Sequence, residues 1–169
     1  MKGSLVLAVM CLATMGGCAT AHMYPVRGPL IQQTPVPVYK AKMTQGPMIP
    51  HGSFSAVLGD GEVCKGEWKL IFGSKTPKPA APGAGPSAQD LAADWDIVYG
   101  TGYYSFKVLG AMSFMRAEAK GNRGTILDVE MYLNQSAAMP ELPKDTNLIR
   151  EMAGVARDNK GNIYKLVFR

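Results

Sequence analysis

Hydrophobic and polar residues alternate along three stretches of this chain, and each stretch contains a turn rich in glycine. The stretches are residues 53–72, 111–134 and 152–169, with turns at "GDGE", "GNRG" and "DNKGN". Alternation with a period of two is typical of a strand that buries one face, and Gly and Asn tolerate the positive φ of tight hairpin turns. The pattern therefore predicts three β-hairpins.

One face of each hairpin is predicted to be buried. In the first hairpin, the predicted buried residues are Cys64, Gly66, Trp68, Leu70 and Phe72. In the second, they are Thr125, Leu127, Val129, Met131 and Leu133. In the third, they are Tyr164, Leu166 and Phe168.

A helix is predicted between the first two hairpins, after a loop over residues 73–87 that is rich in Pro, Ala and Gly. Ser87 and Asp90 form a capping-box pattern, and Gly100 is the expected C-terminal stop. The apolar positions at helical spacing are Leu91, Trp95, Val98 and Tyr99. The acidic positions, expected to form a solvated face, are Asp90, Asp94 and Asp96.

The segment after this helix, "GYYSFKVLG" over residues 102–110, is predicted to be a further strand with Tyr104, Phe106 and Val108 facing inward. Together, these elements predict an α+β class that is rich in β-structure. The predicted architecture is an antiparallel sheet or a partly open small barrel of six or seven strands, with one amphipathic helix packed on it. Residues 52–169 are predicted to form this single domain.

Residues 18–51 have a different composition, because six of the twelve prolines lie there. Each proline removes a backbone donor and restricts the residue before it, so a helix is excluded. We expect an extended tether in front of the domain, with apolar side chains that allow parts of it to dock.

The first residues, 1–17, have the pattern of a signal peptide. Lys2 precedes a short apolar run over residues 5–15, about half of the roughly 20 residues that a membrane-spanning helix needs. The run ends in "MGGC", where small residues stand directly before Cys18. This motif resembles the lipobox of bacterial lipoproteins, although Met15 occupies a position where that class usually has leucine.

The resemblance implies that a peptidase cuts before Cys18 and that the cysteine carries the lipid. Its sulfur would hold diacylglycerol, and its amine would be acylated. Several acyl chains give stable anchoring, because each buried CH₂ contributes about 0.8 kcal/mol and one chain alone is marginal. Because Ala19 follows the cysteine, and not an aspartate, the resemblance favours the outer membrane. The expected location is the bacterial cell envelope, facing the periplasm.

Charge adds little to this interpretation. The mature chain has a formal net charge of +4 after Lys2 is removed, and basic and acidic segments alternate along it. A nucleic-acid-binding protein would concentrate Lys and Arg on one face, so nucleic acid is not expected as a partner. The expected partners are the membrane, through the acyl chains, and an envelope protein or an anionic polymer.

Two other kinds of function use residues outside the anchor. Cys64 with His51 and Asp60 could form a thiol nucleophile with its base, as in a small periplasmic cysteine hydrolase. Alternatively, Met48 with His51, or Met112 with Met115, could bind copper as soft ligands.

A non-enzymatic binding or structural module without a cofactor is the leading hypothesis. Cys64 lies on the predicted buried face, where a thiol is inert. Residues three apart on a strand point to opposite faces, which separates Met112 from Met115. The aspartates of the helix lack the loop that wraps a calcium ion.

Overall fold

The computed structural model describes residues 18–45, 51–72, 91–109, 113–133 and 152–169, and eight β-strands lie in these ranges. The strands are β1 (Cys18–Arg27), β2 (Tyr39–Gln45), β3 (His51–Val57), β4 (Val63–Phe72), β5 (Ser113–Gly121), β6 (Ile126–Leu133), β7 (Met152–Asp158) and β8 (Ile163–Phe168). The helical segments are a 3-10 helix (Pro29–Gln32), the α-helix α1 (Ala92–Tyr99) and a π-helical turn (Tyr104–Val108).

The strands form a closed antiparallel barrel in which each strand pairs with its neighbours in sequence. The pairing of β1 with β8 closes the barrel. From Cys18, the register partners around the barrel are Thr44, Ser53, Glu67, Glu118, Asp128, Arg157 and Ile163, and the last of these pairs with Arg27. One circuit therefore returns to β1 well beyond its starting point, as expected for strands that tilt relative to the barrel axis.

Side chains of mixed size fill the interior of the barrel. Many are alanines: Ala19, Ala21, Ala41, Ala56, Ala117, Ala119 and Ala156. The larger ones include Met23, Phe54, Trp68, Leu127, Met131, Tyr164 and Leu166. Because an eight-stranded barrel has an interior just wide enough for its own side chains, small and large residues must share that space.

Three hairpin turns at one end of the barrel share one geometry. In each, the first residue donates its N–H to the carbonyl of the fifth, and the fourth donates to the carbonyl of the first. The fourth residue is a glycine with positive φ: Gly61, Gly124 or Gly161. A residue without a Cβ adopts this conformation at no steric cost, which explains the glycine in each turn.

The barrel has two different ends. The turn end holds the connections β1–β2, β3–β4, β5–β6 and β7–β8. The Cys18 end holds the first residue of β1, the last residue of β8 and the strand termini that flank residues 46–50, 73–90 and 134–151.

Helix α1 and the π-helical turn pack on the outside of the barrel and form a second apolar cluster. Its buried members are Leu91, Trp95, Val108, Phe114, Tyr132 and Val155. The rings of Trp95, Tyr99 and Tyr103 stack, with centroids 4.6 Å apart for the two tyrosines. The Tyr99 hydroxyl donates to the Gly154 carbonyl at 3.2 Å, which joins the helix to β7.

The three hairpins and the helix predicted from the alternation pattern are confirmed. The turns form at the predicted glycine-rich positions, and Cys64, Trp68 and Leu127 are buried inside the barrel. Helix α1 ends before Gly100, whose φ is 106°. The predicted cap at Ser87 and Asp90, the loop over residues 73–87 and the signal peptide lie outside the described residues.

The strand predicted over residues 102–110 is wrong, because residues Tyr104–Val108 form a π-helical turn. Asp96 accepts hydrogen bonds from the N–H groups of Gly102 (3.1 Å) and Tyr104 (2.9 Å), which starts a new helical turn. Leu109 then donates to the Tyr104 carbonyl at 2.8 Å. Val108 is buried as predicted, whereas Phe106 is 89% exposed.

The predicted tether and domain boundary also need correction, because residues 18–45 belong to the barrel. Ala19, Ala21 and Met23 of β1 and Tyr39, Ala41 and Met43 of β2 point into the core. Pro29, Pro35 and Pro37 lie in the connection between these strands, and Pro25 lies next to a register shift in β1. The prolines therefore interrupt few ladder hydrogen bonds, and the two additional strands account for the count of eight.

Candidate functional site: an anchor residue and a lysine face

Cys18, the predicted lipid-attachment residue, is the first residue of β1 and is exposed. It pairs with Thr44 of β2, so it lies within the barrel wall at its end. The predicted lipid-attachment residue and the folded domain are therefore adjacent, with no residue between them.

The residues of the alternative thiol site are not brought together. Cys64 lies inside the barrel and is 0% exposed. Burial, together with the negative charge of Glu62, raises the pKa of the Cys64 thiol to about 11. His51 is exposed on β3, five residues from Ala56, which pairs with Cys64. That separation corresponds to about 16 Å along the strand.

Asp60, the third residue of this hypothesis, lies in the β3–β4 turn. It accepts a hydrogen bond from the Glu62 N–H at 2.9 Å and lies 3.4 Å from the Arg123 guanidinium. A nucleophile needs its base within hydrogen-bond reach, and the described geometry does not provide that for Cys64.

The candidate metal ligands are also separated. Met48, Met112 and Asp90 lie outside the described residues. Met115 packs against the barrel core. Among the described residues, His, Cys, Asp and Glu form no group of three that could hold a metal ion.

The aspartates of α1 do not form the solvated face that the sequence predicted. Asp94 is buried and its Oδ1 pairs with the Arg157 guanidinium at 2.5 Å, while its Oδ2 has no hydrogen-bond partner among the described residues. Burial raises the pKa of Asp94, and Arg157 opposes that shift. Asp96 caps the following turn. Asp94 therefore joins the helix to β7, and Asp96 joins the helix to the turn that follows it.

A second buried ion pair lies under the same helix. Glu130 on the outer side of β6 accepts hydrogen bonds from the Trp95 indole (2.8 Å) and from Arg116 (2.7 Å). A charge of this kind is tolerated away from water only when its oxygens are paired. The alternation on β6 places Glu130 on the outward face, so the sequence does not predict that this side chain is buried under α1.

The turn end contains a further buried carboxylate, Glu62. It accepts hydrogen bonds from the Thr125 hydroxyl (2.5 Å) and from the N–H groups of Thr125 (3.0 Å) and Arg123 (2.9 Å). These donors lower the pKa of Glu62 from 4.5 to about 2. A Cβ on Gly121 would lie 2.0 Å from Glu62 Oε1, so the glycine leaves the space that the carboxylate occupies.

Asp158 is satisfied in the same way at the third turn. Its oxygens accept hydrogen bonds from the Tyr164 hydroxyl (2.7 Å), the Asn162 N–H (2.8 Å) and the Asn162 side-chain amide (2.8 Å). Asn162 Oδ1 in turn accepts from the Leu30 N–H at 3.0 Å, which fixes the β1–β2 connection. The turn end is thus a network of structural hydrogen bonds.

The outer face of β2, β3 and β4 is different, because positive charge concentrates there without pairing. The exposed lysines Lys40, Lys42, Lys65 and Lys69, with Ser53 and Ser55 of β3 between them, form what we call the lysine face. Within the described residues, none of these four lysines forms an ion pair. Glu67 is the one acidic residue in the three strands.

The register shows how the lysine face is arranged. Lys42 pairs with Ser55, and Ser55 pairs with Lys65, so the two lysines lie on either side of a serine. Their backbones are about 10 Å apart, two strand spacings. The small serine side chains leave a shallow strip along β3 between two rows of ammonium groups. In the sequence, the lysines of this face alternate with apolar residues in "YKAKMT" and in "EVCKGEWK". The first of these segments lies in the predicted tether, so the sequence does not assign its lysines to a strand.

Helix α1 covers the other wall of the barrel, where its side chains contact β6, β7 and β8. In the described part of the chain, α1 therefore packs on the wall opposite the lysine face. No helix among the described residues is long and apolar enough to cross a membrane. No protein-family model, no curated protein and no solved structure matches this chain.

Proposed function

We propose that this protein is a lipid-anchored module of the bacterial cell envelope that binds an anionic partner on its lysine face and catalyses no reaction. The lipid anchor rests on the lipobox-like sequence and on Cys18, which is exposed at the start of β1. The binding role rests on the lysine face. The outer membrane, with the domain in the periplasm, is the compartment that this proposal assigns.

The observation that carries the binding role is the set of four lysines around Ser53 and Ser55, none of which forms an ion pair with another described residue. Nearby like charges repel one another, and no described carboxylate on the face offsets that repulsion except Glu67. An anionic chain that lies along β3 would relieve it, with phosphate or carboxylate groups between the two rows. Polymers with such groups are the envelope partners that suit this chemistry.

The test compares two variants that each remove two positive charges. Lys42→Gln with Lys65→Gln removes the central pair of the lysine face. Lys107→Gln with Arg169→Gln removes two exposed charges elsewhere. Binding is measured to polyphosphate and, separately, to polygalacturonate, which present phosphate and carboxylate groups respectively.

We expect the first variant to weaken binding of the preferred polymer by about 10- to 30-fold at low salt, because each lysine near an anionic surface contributes about 1 kcal/mol. The second variant should bind like the wild type, and added salt should weaken wild-type binding. An equal loss in both variants, or no binding of either polymer, would contradict the binding role.

A further inference from the structure

Phe106 is an exposed aromatic residue that the packing of the domain does not explain. Its side chain is 89% exposed, the most exposed of the large hydrophobic side chains in the described part of the chain. Burying a side chain of this size is worth about 1.5–3 kcal/mol, so full exposure to water forgoes that stabilisation. A single exposed apolar side chain is ordinary on a protein surface, so what distinguishes Phe106 is where the fold places it.

The segment around Phe106 is held firmly in place. Two residues later, Val108 is buried against the outer wall of the barrel. The Tyr103 hydroxyl lies 2.7 Å from the Tyr132 hydroxyl, and Asp96 caps the start of the turn. The turn therefore presents Phe106 outward from a fixed position.

That position is at the Cys18 end of the barrel. The π-helical turn packs near Phe114, Tyr132 and Ala153, which lie within one residue of the start of β5, the end of β6 and the start of β7. Cys18 lies at the same end, on β1. Three strands lie between β1 and β5 in either direction around the barrel, so the two residues lie on different sides of one barrel end.

The charges around Phe106 suit a bilayer surface. Between residues 97 and 115 the only charged residue is Lys107, which is exposed beside Phe106. Aromatic residues with an adjacent cation are enriched where proteins meet the headgroup region, and no acidic side chain in this stretch opposes an anionic lipid.

The proposed lipid would be attached directly to the wall of the barrel, which places the Cys18 end close to the membrane. Acyl chains on Cys18 would start within the barrel wall, because Cys18 already pairs with Thr44. The chain spans at most about 3.6 Å per residue, and here no residue is available as a spacer. The Cys18 end must therefore lie at the bilayer surface if Cys18 carries the lipid.

We propose that Phe106 inserts into the lipid bilayer as a second contact, so that the domain stands on its Cys18 end with the turn end pointing away. This inference rests on the proposed lipid anchor. The acyl chains hold one side of that barrel end and Phe106 holds the other, which fixes the orientation of the lysine face perpendicular to the membrane.

Fluorescence quenching in vesicles tests this contact. Full-length protein with Phe106→Trp is purified from membranes and reconstituted into vesicles that contain brominated lipid. The matched control is Ile31→Trp, since Ile31 is 45% exposed at the turn end. The parent protein gives the background from Trp68 and Trp95, and thermal unfolding confirms that each variant is folded.

We expect the tryptophan at position 106 to emit at shorter wavelength and to lose emission to brominated lipid, while the one at position 31 does neither. Absence of quenching at position 106, or equal quenching at both positions, would overturn the contact. Phe106→Ser provides a second readout, since it should increase protease cleavage at the Cys18 end of vesicle-bound protein.

The mass of the purified protein separates this inference from the proposed anchor. Protein without acyl chains on Cys18 would overturn the anchor. The same vesicle measurement on that protein then decides the Phe106 contact: quenching confined to position 106 supports it, and no quenching overturns it.

Discussion

Buried carboxylates at the turn end of the barrel show how single residues serve the fold. Glu62 accepts hydrogen bonds from the neighbouring β5–β6 turn, whereas Asp158 accepts them from its own β7–β8 hairpin. These hydrogen bonds satisfy both buried side chains. Asn122 and Asn159 occupy equivalent turn positions and accept from the Val63 and Ile126 N–H groups, both at 3.1 Å. The three turns therefore depend on one another through side-chain hydrogen bonds.

Glu62→Gln should change how stability depends on pH. The folded pKa of Glu62, about 2, lies below its ordinary value of 4.5. The carboxylate therefore contributes stability above about pH 4.5, and that contribution is lost as the pH falls towards 2. We expect the difference in melting temperature between wild type and Glu62→Gln to be largest near neutral pH and to shrink in acid.

The matched control for this prediction is Glu118→Gln, because Glu118 is exposed and contacts only Lys120 at 3.3 Å among the ion pairs of the described residues. This variant should retain the acid-dependent loss of the wild type. A melting-temperature difference for Glu62→Gln that is constant from pH 7 to acid would show that the turn network does not depend on the charge.

Cys64 should be unreactive in the folded protein. Its thiol is buried, and its pKa is raised to about 11, so the thiolate that reacts is scarce at pH 8. Maleimide labelling followed by peptide mass analysis should leave Cys64 unlabelled until denaturant is added. Rapid labelling in native buffer would contradict its burial and would favour the cysteine hydrolase hypothesis.

At the scale of elements, the sequence predicts those strands that are joined to a partner strand by a short, glycine-rich turn. The alternation around "GDGE", "GNRG" and "DNKGN" locates β3 to β8 except at their ends. The strands β1 and β2 also alternate, as "ATAHM" and "YKAKM" show, but the prolines of the segment between them favoured a tether. The closure of β1 on β8 links the two ends of the chain, and no local pattern specifies a contact of that range.

Helix α1 and the turn after it show that a local sequence pattern does not reveal contacts with distant residues. Helical spacing identifies Trp95 as buried, but it places Asp94 in solvent because it does not register a partner such as Arg157 on a distant strand. Likewise, "YYSFKV" alternates like a strand, whereas two hydrogen bonds to Asp96 make it helical. In both cases a long-range or side-chain contact overrides the local pattern.

The attachment of α1 to the barrel depends on Trp95. The indole is 0% exposed, stacks with Tyr99 and Tyr103, and donates to Glu130. Trp95→Ala should lower the free energy of unfolding by about 3–5 kcal/mol, because it leaves a large cavity. Ile97→Ala, on the outward side of the same helix, should cost about 0.5 kcal/mol or less.

Urea denaturation of the two variants measures this difference. Similar small losses for both would show that the helix contributes little to the stability of the barrel. A shift in the m-value for Trp95→Ala would instead indicate that α1 detaches before the barrel unfolds, in which case the two clusters are separate cooperative units.

At the scale of the whole molecule, the two walls and two ends of the barrel divide the proposed tasks. The wall of β6 to β8 carries α1, while the wall of β2 to β4 carries the lysine face. The turn end is held by a network of hydrogen bonds, while Cys18, the proposed anchor residue, and Phe106 lie on different sides of the other end. A membrane-bound domain of this design would expose its lysine face sideways to polymers near the membrane.

The central claim is that Cys18 carries the lipid and is the first residue of the mature chain. Mass analysis of the N-terminal peptide from the membrane fraction tests it most directly. We predict a peptide that begins at Cys18 with the added mass of diacylglycerol and an amide-linked acyl chain, and no such peptide from Cys18→Ala, whose protein should leave the membrane fraction. An unmodified Cys18, or membrane attachment unchanged in Cys18→Ala, would contradict the account.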